Sequence, residues 1–137
     1  MDDLASAGTV MTLVPGASMF LGDTTVPPVE AFRRHGLAMA VATDLNPGSS
    51  PLASLPTAAS LAVHRFGLTP QEALLGITSV AADALRLTDG RGRIEVGGVA
   101  DLAIWNVTDP REIVYWINAP ICAGIVVGGD IRENQPW

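Results

Sequence analysis

The stretch that decides the fold is Met39-Ala40-Val41-Ala42-Thr43-Asp44-Leu45-Asn46-Pro47-Gly48-Ser49-Ser50-Pro51. Its first half is a run of small apolar residues, which is typical of a buried strand in a parallel sheet. The run ends at a carboxylate, Asp44, and a turn rich in Asn, Pro, Gly and Ser follows at once. In α/β barrels, catalytic groups lie at the carboxyl ends of such strands. An Asp in this position can also simply begin a turn, and the spacing leaves both interpretations open.

The composition indicates one acidic, apolar domain. The chain has 137 residues, of which 48% are hydrophobic. Its charged share of 16% is low beside the usual ~25%. The formal net charge of −6 argues against a nucleic-acid partner, because phosphate backbones are bound by clustered basic residues. Cys122 is the single cysteine, so an intrachain disulfide and a cysteine metal cluster are both excluded.

Two features bear on location. No apolar run approaches the ~18–20 residues that a membrane span requires. The start Met1-Asp2-Asp3 is acidic where a signal peptide would be basic. Together with the lack of disulfides, this pattern predicts a soluble cytoplasmic protein without a membrane partner.

Residues 9–43 predict a parallel strand–helix–strand unit. A first strand covers Thr9–Val14 and ends at a Pro-Gly pair, after which a polar loop is expected. Pro28 suits the first position of a helix that ends at Gly36, and Leu37–Thr43 is the second strand. His35 falls in the last turn of that helix and is expected at the surface.

Three further helices are predicted. Ser54 or Thr57 can cap a helix that runs to about Phe66, and Thr69-Pro70-Gln71-Glu72 is a capping box with proline at the first helical position. A third helix from Ser79 to Leu87 carries an apolar stripe. His64, on the first of these helices, is interpreted as solvent-facing or packed rather than metal-ligating.

From Gly90 the pattern indicates mainly strands. Ile94–Val96 and Asp101–Trp105 are predicted to pair as a hairpin through two glycines. A short helix opens near Pro110, and a last strand covers 121–127. A boundary is therefore predicted between residues 1–89 and residues 90–137.

Four segments of the chain resemble the imidazolonepropionase family of the metal-dependent amidohydrolase superfamily. They are Gly8–Ala17, Ala42–Pro51, Leu68–Leu74 and Gly92–Trp105. The Asp-x-Asn-Pro-Gly-Ser turn in the second segment is specific to that family. The Gly-x-Ile-Glu-x-Gly-x-x-Ala-Asp-Leu element in the fourth is shared across the superfamily.

The resemblance implies an α/β fold, part of a (β/α)₈ TIM barrel with a small β-sandwich built from both chain ends. Residues 1–89 then correspond to the C-terminal part of the barrel, with its last two strands and their helices. Residues 90–137 correspond to the C-terminal part of the sandwich. The chain as a whole resembles about the C-terminal third of the enzyme.

The resemblance also implies a site. Asp44 matches the metal-binding and catalytic aspartate at the end of the eighth strand, beside Zn²⁺ or Fe³⁺. Asn46 and Gly48 match positions that contact the product, N-formimidoyl-L-glutamate, and Ser49 matches one that contacts the substrate, 4-imidazolone-5-propanoate. The implied reaction is hydrolysis of that cyclic amide by metal-activated water in histidine degradation.

Most of the implied metal ligands have no counterpart in the sequence. The family's His-x-His pair is absent, and neither His35 nor His64 matches a ligand position. A hydrolytic zinc site uses about three protein ligands, so the isolated chain is expected to be inert. The open strand edge predicts a homo-oligomer or association with the missing N-terminal portion. Another cyclic amidohydrolase or a nucleobase deaminase fragment, and a non-catalytic association remnant, remain alternatives.

Overall fold

The computed structural model describes residues 1–132. In chain order, its elements are α1 (Asp2–Ser6), β1 (Val10–Leu13), α2 (Pro15–Phe20), α3 (Val29–Arg34), β2 (Ala38–Val41), α4 (Leu55–Phe66), α5 (Pro70–Gly76), α6 (Ser79–Ala84), β3 (Leu102–Trp105), α7 (Glu112–Tyr115), β4 (Cys122–Val127) and β5 (Asp130–Arg132). Across these residues, no helix combines the length and the apolar character needed to cross a membrane.

The strands form two sheets. Strands β1 and β2 pair in parallel, with Val10 opposite Ala38 and Leu13 opposite Val41. Helix α3 lies between them in sequence, which confirms the strand–helix–strand unit predicted for residues 9–43. Strands β3, β4 and β5 form an antiparallel sheet in that order. The architecture is mixed α/β, and closure into a barrel would need more parallel strands than these two.

The core lies where helices α3, α4 and α5 cover the parallel strand pair. Its buried residues are Leu13, Val29, Phe32, Leu37, Met39, Val41, Ala58, Ala59, Ala62, Phe66, Leu68, Ala73 and Val114. Four of them are alanines with no solvent exposure. Alanine brings a helix backbone close to its neighbour, because its side chain is a single methyl group. Val114 belongs to α7, so this helix joins the core formed by residues 13–73.

Local signals fix the ends of α4 and the start of α5, as predicted. The Ser54 hydroxyl accepts the backbone N–H of Thr57 at 3.2 Å, and Gly67 ends α4 in the left-handed region with φ 76°. At α5, Thr69 and Glu72 form the reciprocal capping box. Proline follows Thr69 at the first helical position, where its missing N–H costs no hydrogen bond.

An ion pair joins α3 to α5. The Arg33 guanidinium donates to both carboxylate oxygens of Glu72 at 2.7 Å, and it also contacts Glu30 and the Gly67 carbonyl. The hydrogen bonds from Arg33, together with those from Thr69, lower the pKa of Glu72 from 4.5 to about 2. Glu72 therefore serves two functions: it caps its own helix and connects it to α3.

Gly76 marks the closest approach between α5 and the sheet. A Cβ at this position would lie 2.9 Å from the Met39 carbonyl oxygen and 3.1 Å from Val41 Cγ2. The carbonyl belongs to strand β2 and cannot move without distorting the strand. Gly76 therefore allows α5 to lie directly against strand β2.

Two predictions on the helices are wrong. The loop expected after β1 contains α2, because Pro15 occupies an N-terminal helical position, where proline is tolerated, instead of breaking the chain. The third predicted helix ends at Ala84 and not at Leu87, since Arg86 takes a positive φ of 56°. No residue of its expected apolar stripe is fully buried: Val80, Ala81 and Leu87 are half-buried, whereas Ala84 and Leu85 are exposed.

The hairpin predicted between Ile94–Val96 and Asp101–Trp105 is also wrong. Ile94 and Val96 lie in irregular, fully exposed backbone, where Gly98 N–H donates to the Glu95 carbonyl in a local turn. Strand β3 pairs instead with β4. Segment 121–127 is not the last strand, because β5 follows it after a glycine turn. The domain boundary between residues 89 and 90 remains a prediction.

Replacing Gly76 by Ala tests the close approach. We expect a loss of about 1–3 kcal/mol in the free energy of unfolding, because the added methyl group overlaps the Met39 carbonyl. Urea denaturation followed by circular dichroism measures the loss. Gly124→Ala is the matched control, since no atom lies within 4 Å of a Cβ there. Equal stability of the two variants would contradict the packing argument.

Replacing Glu72 by Gln tests the ion pair through its pH dependence. Because the folded-state pKa of Glu72 is depressed to about 2, its stabilisation is complete above pH 4.5 and is lost as the pH falls toward about 2. The variant should be about 1 kcal/mol less stable at pH 7. That difference should vanish near pH 2 in urea titrations. Glu95→Gln, which removes an exposed carboxylate, is the control, and a difference that persists in acid would refute the assignment.

Candidate functional site

The candidate site lies in the loop that follows β2. Backbone pairing of the two parallel strands continues to Ala42, whose N–H donates to the Leu13 carbonyl at 2.9 Å. Asp44 comes two residues later, is exposed, and has a positive φ of 51°. Few residues other than glycine adopt this left-handed conformation, although Asp and Asn tolerate it better than most. The structure therefore places Asp44 where the sequence predicted it, at the carboxyl end of the strand.

Asn46 organises the turn after Asp44. Its Oδ1 atom accepts the backbone N–H groups of Gly48 at 2.9 Å and Ser49 at 2.8 Å. Its Nδ2 group donates to the Asp44 carbonyl at 2.6 Å and to Ser49 Oγ at 3.1 Å. A contact of 3.4 Å joins the same nitrogen to Asp44 Oδ2. All four residues named as site candidates, Asp44, Asn46, Gly48 and Ser49, are thus brought together in one hydrogen-bonded turn.

Ser50 is buried and makes two hydrogen bonds within the loop. It has no solvent exposure, and its hydroxyl donates to the Thr43 carbonyl at 2.6 Å. Its own carbonyl accepts the N–H of Asn46 at 3.0 Å. Sequence analysis did not single out Ser50, because a serine in a Ser-Ser pair carries no local signal of burial. The role of Asn46 in the turn could be predicted from the sequence, since Asn side chains commonly accept backbone N–H groups a few residues ahead.

Residues 1–132 contain no cluster of three His, Cys, Asp or Glu side chains that could hold a metal ion. His35 Nδ1 lies 2.6 Å from Asp2 Oδ1, and His64 Nδ1 contacts the Ser60 carbonyl of its own helix at 2.8 Å. His35 is half-buried rather than fully at the surface, whereas His64 is exposed. Asp44 can therefore supply one carboxylate, but the described residues do not by themselves fit a hydrolytic metal centre.

Comparisons with known proteins match nearly the whole chain. A model of the Amidohydrolase family matches residues 2–132. The chain is 47% identical over 131 residues to the imidazolonepropionase of Aliivibrio salmonicida, covering 96% of this chain and 32% of that protein. It is 53% identical over 127 residues to that of Maricaulis maris, covering 93% and 32%. The resemblance seen in the sequence is confirmed.

Solved structures show the same fold. Atrazine chlorohydrolase from Arthrobacter aurescens, determined with zinc, superposes with a TM-score of 0.80 at 22% identity, covering 95% of this chain and 32% of that one. Guanine deaminase from E. coli superposes with a TM-score of 0.78 at 15% identity, covering 98% and 36%. The chain thus spans about a third of the length of the relatives it matches. On the evidence of the family match over 2–132, the chain belongs to the amidohydrolase family.

Proposed function

We propose that this chain supplies Asp44 and the Asn46–Ser49 turn to the active site of an enzyme that hydrolyses 4-imidazolone-5-propanoate to N-formimidoyl-L-glutamate. The observation that carries the proposal is the position of Asp44 at the carboxyl end of β2, hydrogen-bonded into a turn with Asn46. Imidazolonepropionases at 47% and 53% identity support the choice of substrate. The whole enzyme's activity is part of this proposal, because the chain covers 32% of each of these relatives.

The metal ligands beyond Asp44 must come from elsewhere. Amidohydrolases are metal-dependent, and we propose Zn²⁺ or Fe³⁺ as the ion at a complete site. One carboxylate is too few, and both histidines of the chain are engaged in other contacts. We therefore propose that another polypeptide segment, or a second copy of the chain, associates with this one. The unpaired outer edges of β1 and β2, in the part of the chain that is described, support this association.

The turn leaves Gly48 open to a ligand. Gly48 is exposed, and a Cβ there would meet only Asn46 Oδ1, at 3.4 Å. Internal packing therefore does not require glycine at this position, which is consistent with close approach of a ligand. Ser49 is half-buried, and its hydroxyl is within hydrogen-bond distance of Asn46. A bound ligand can take over that bond, because a serine hydroxyl rotates freely.

The role of Asn46 is more constrained than that of its neighbours. A carboxamide has two N–H donors and two acceptor lone pairs, and Asn46 already uses all four within the loop. It can contact a ligand only by giving up a bond of the turn. We therefore propose that Asn46 mainly shapes the turn. It contacts the product by exchanging its hydrogen bond to Ser49 for one to the ligand.

The alternative enzyme classes share the fold but not the turn. Similarity to guanine deaminase at 15% identity establishes architecture alone. The Asp-x-Asn-Pro-Gly-Ser sequence favours an imidazolone ring opener over a nucleobase deaminase. A non-catalytic association module is distinguished from both by whether Asp44 contributes to turnover.

Exchange of this chain into a complete relative tests the proposal. The Maricaulis maris enzyme with its aligned segment replaced by this chain should hydrolyse 4-imidazolone-5-propanoate, whereas the chain alone should not. Asp44→Asn in that chimera should lower kcat/KM by about a hundredfold or more, since a metal ligand is lost. Its melting temperature should change little, because Asp44 is exposed.

Asp23→Asn in the same chimera is the matched control, because Asp23 is an exposed acid outside the candidate loop. It should retain turnover. Unchanged turnover in the Asp44 variant would mean that Asp44 only shapes the turn and has no catalytic role. Turnover by the chain alone at the rate of the complete relative would show that no further ligands are needed.

Substitutions at Asn46 test the shaping role on the isolated chain. Asn46→Ala removes the acceptor for two N–H groups, so amide exchange at Gly48 and Ser49 should accelerate. Asn46→Asp keeps that acceptor and should preserve the protection of both amides. Hydrogen exchange followed by NMR distinguishes the two variants. Equal protection in both would mean that the side chain does not hold the turn.

A further inference from the structure

Ser50 is the buried residue of the site loop. Its side chain is completely inaccessible, in contrast to the exposed Asp44 and Gly48. Its hydroxyl donates to the Thr43 carbonyl at 2.6 Å, and its carbonyl accepts the N–H of Asn46 at 3.0 Å. Ser50 thus holds the residue before Asp44 and the second residue after it. Only Asp44 and Leu45 lie between these two fixed points.

This arrangement accounts for the conformation of Asp44. A non-glycine residue with a φ of 51° occupies a sparsely populated region, and such a conformation persists only when its surroundings determine it. The bonds of Ser50 to positions 43 and 46 provide that constraint. The backbone at residue 44 in turn sets the direction in which the carboxylate leaves the end of β2.

Ser50 is itself held by helix α2. A Cβ on Gly16 would lie 2.9 Å from Ser50 Oγ and 2.8 Å from Leu52 Cδ2. The first turn of α2 therefore packs directly against the hydroxyl that bonds to Thr43. Because α2 follows β1, this contact connects the carboxyl ends of both parallel strands.

We propose that Ser50, packed against Gly16, is a positioning residue that holds Asp44 in its left-handed conformation and so fixes the direction in which its carboxylate leaves the end of β2. The conformation stands on the geometry of this chain, and its use in catalysis rests on the proposed function. A catalytic group must be held within about 0.5 Å of its productive position by residues that lock its conformation.

The test uses the isotopically labelled full chain. NMR reports the backbone conformation of Asp44 through its amide–Hα coupling and Cα shift. Ser50→Ala removes the bond to Thr43, and Gly16→Ala displaces the same hydroxyl from the other side. Both variants should move Asp44 out of the left-handed region.

Ser54→Ala is the matched control. It removes the cap of α4 and lowers overall stability, so a merely structural role of Ser50 would produce the same response. Unaltered Asp44 signals in a folded Ser50 or Gly16 variant, or an equal shift in the Ser54 variant, would overturn the positioning role.

Discussion

The close approach of helix α5 to strand β2 is the constraint on which the described structure depends. The paired strands are only four residues long, so their ladder alone provides little stability, and a parallel sheet requires cover by helices. Gly76 and Ala73 allow α5 to lie against the strand, and the ion pair of Glu72 with Arg33 fixes the same helix to α3. The short sheet thereby becomes a rigid platform for the loops at its carboxyl ends.

The parts of the fold that could be predicted are those set by local chemistry. The caps at Ser54 and Thr69 join residues three apart, and Gly67 ends its helix through its own φ. Such interactions involve only residues that are close together in the sequence. The two parallel strands were equally readable, because apolar runs separated by a helix of the right length form a parallel unit.

The parts that could not be predicted depend on distant partners. The alternation of apolar and polar residues around Ile94 is typical of a strand. Strand β3 nevertheless pairs with β4, about twenty residues further along the chain. The same reasoning applies to the site. Asn46 could have been assigned to its turn from sequence, whereas Ser50 packs against Gly16, which lies in the first turn of helix α2. Long-range packing, and not residue type, determines the role of this serine.

The topology also explains why His35 does not complete the site. His35 follows α3 and precedes β2, so it lies at the amino end of the strand, whereas Asp44 lies beyond its carboxyl end. A cation at Asp44 would therefore need ligands besides those that residues 1–132 of one copy supply. The hydrogen bonds of Asn46 and Ser50 are internal, so the loop takes its shape without such ligands. A preformed loop reduces the ordering cost of binding, since the carboxylate does not have to be positioned at that moment.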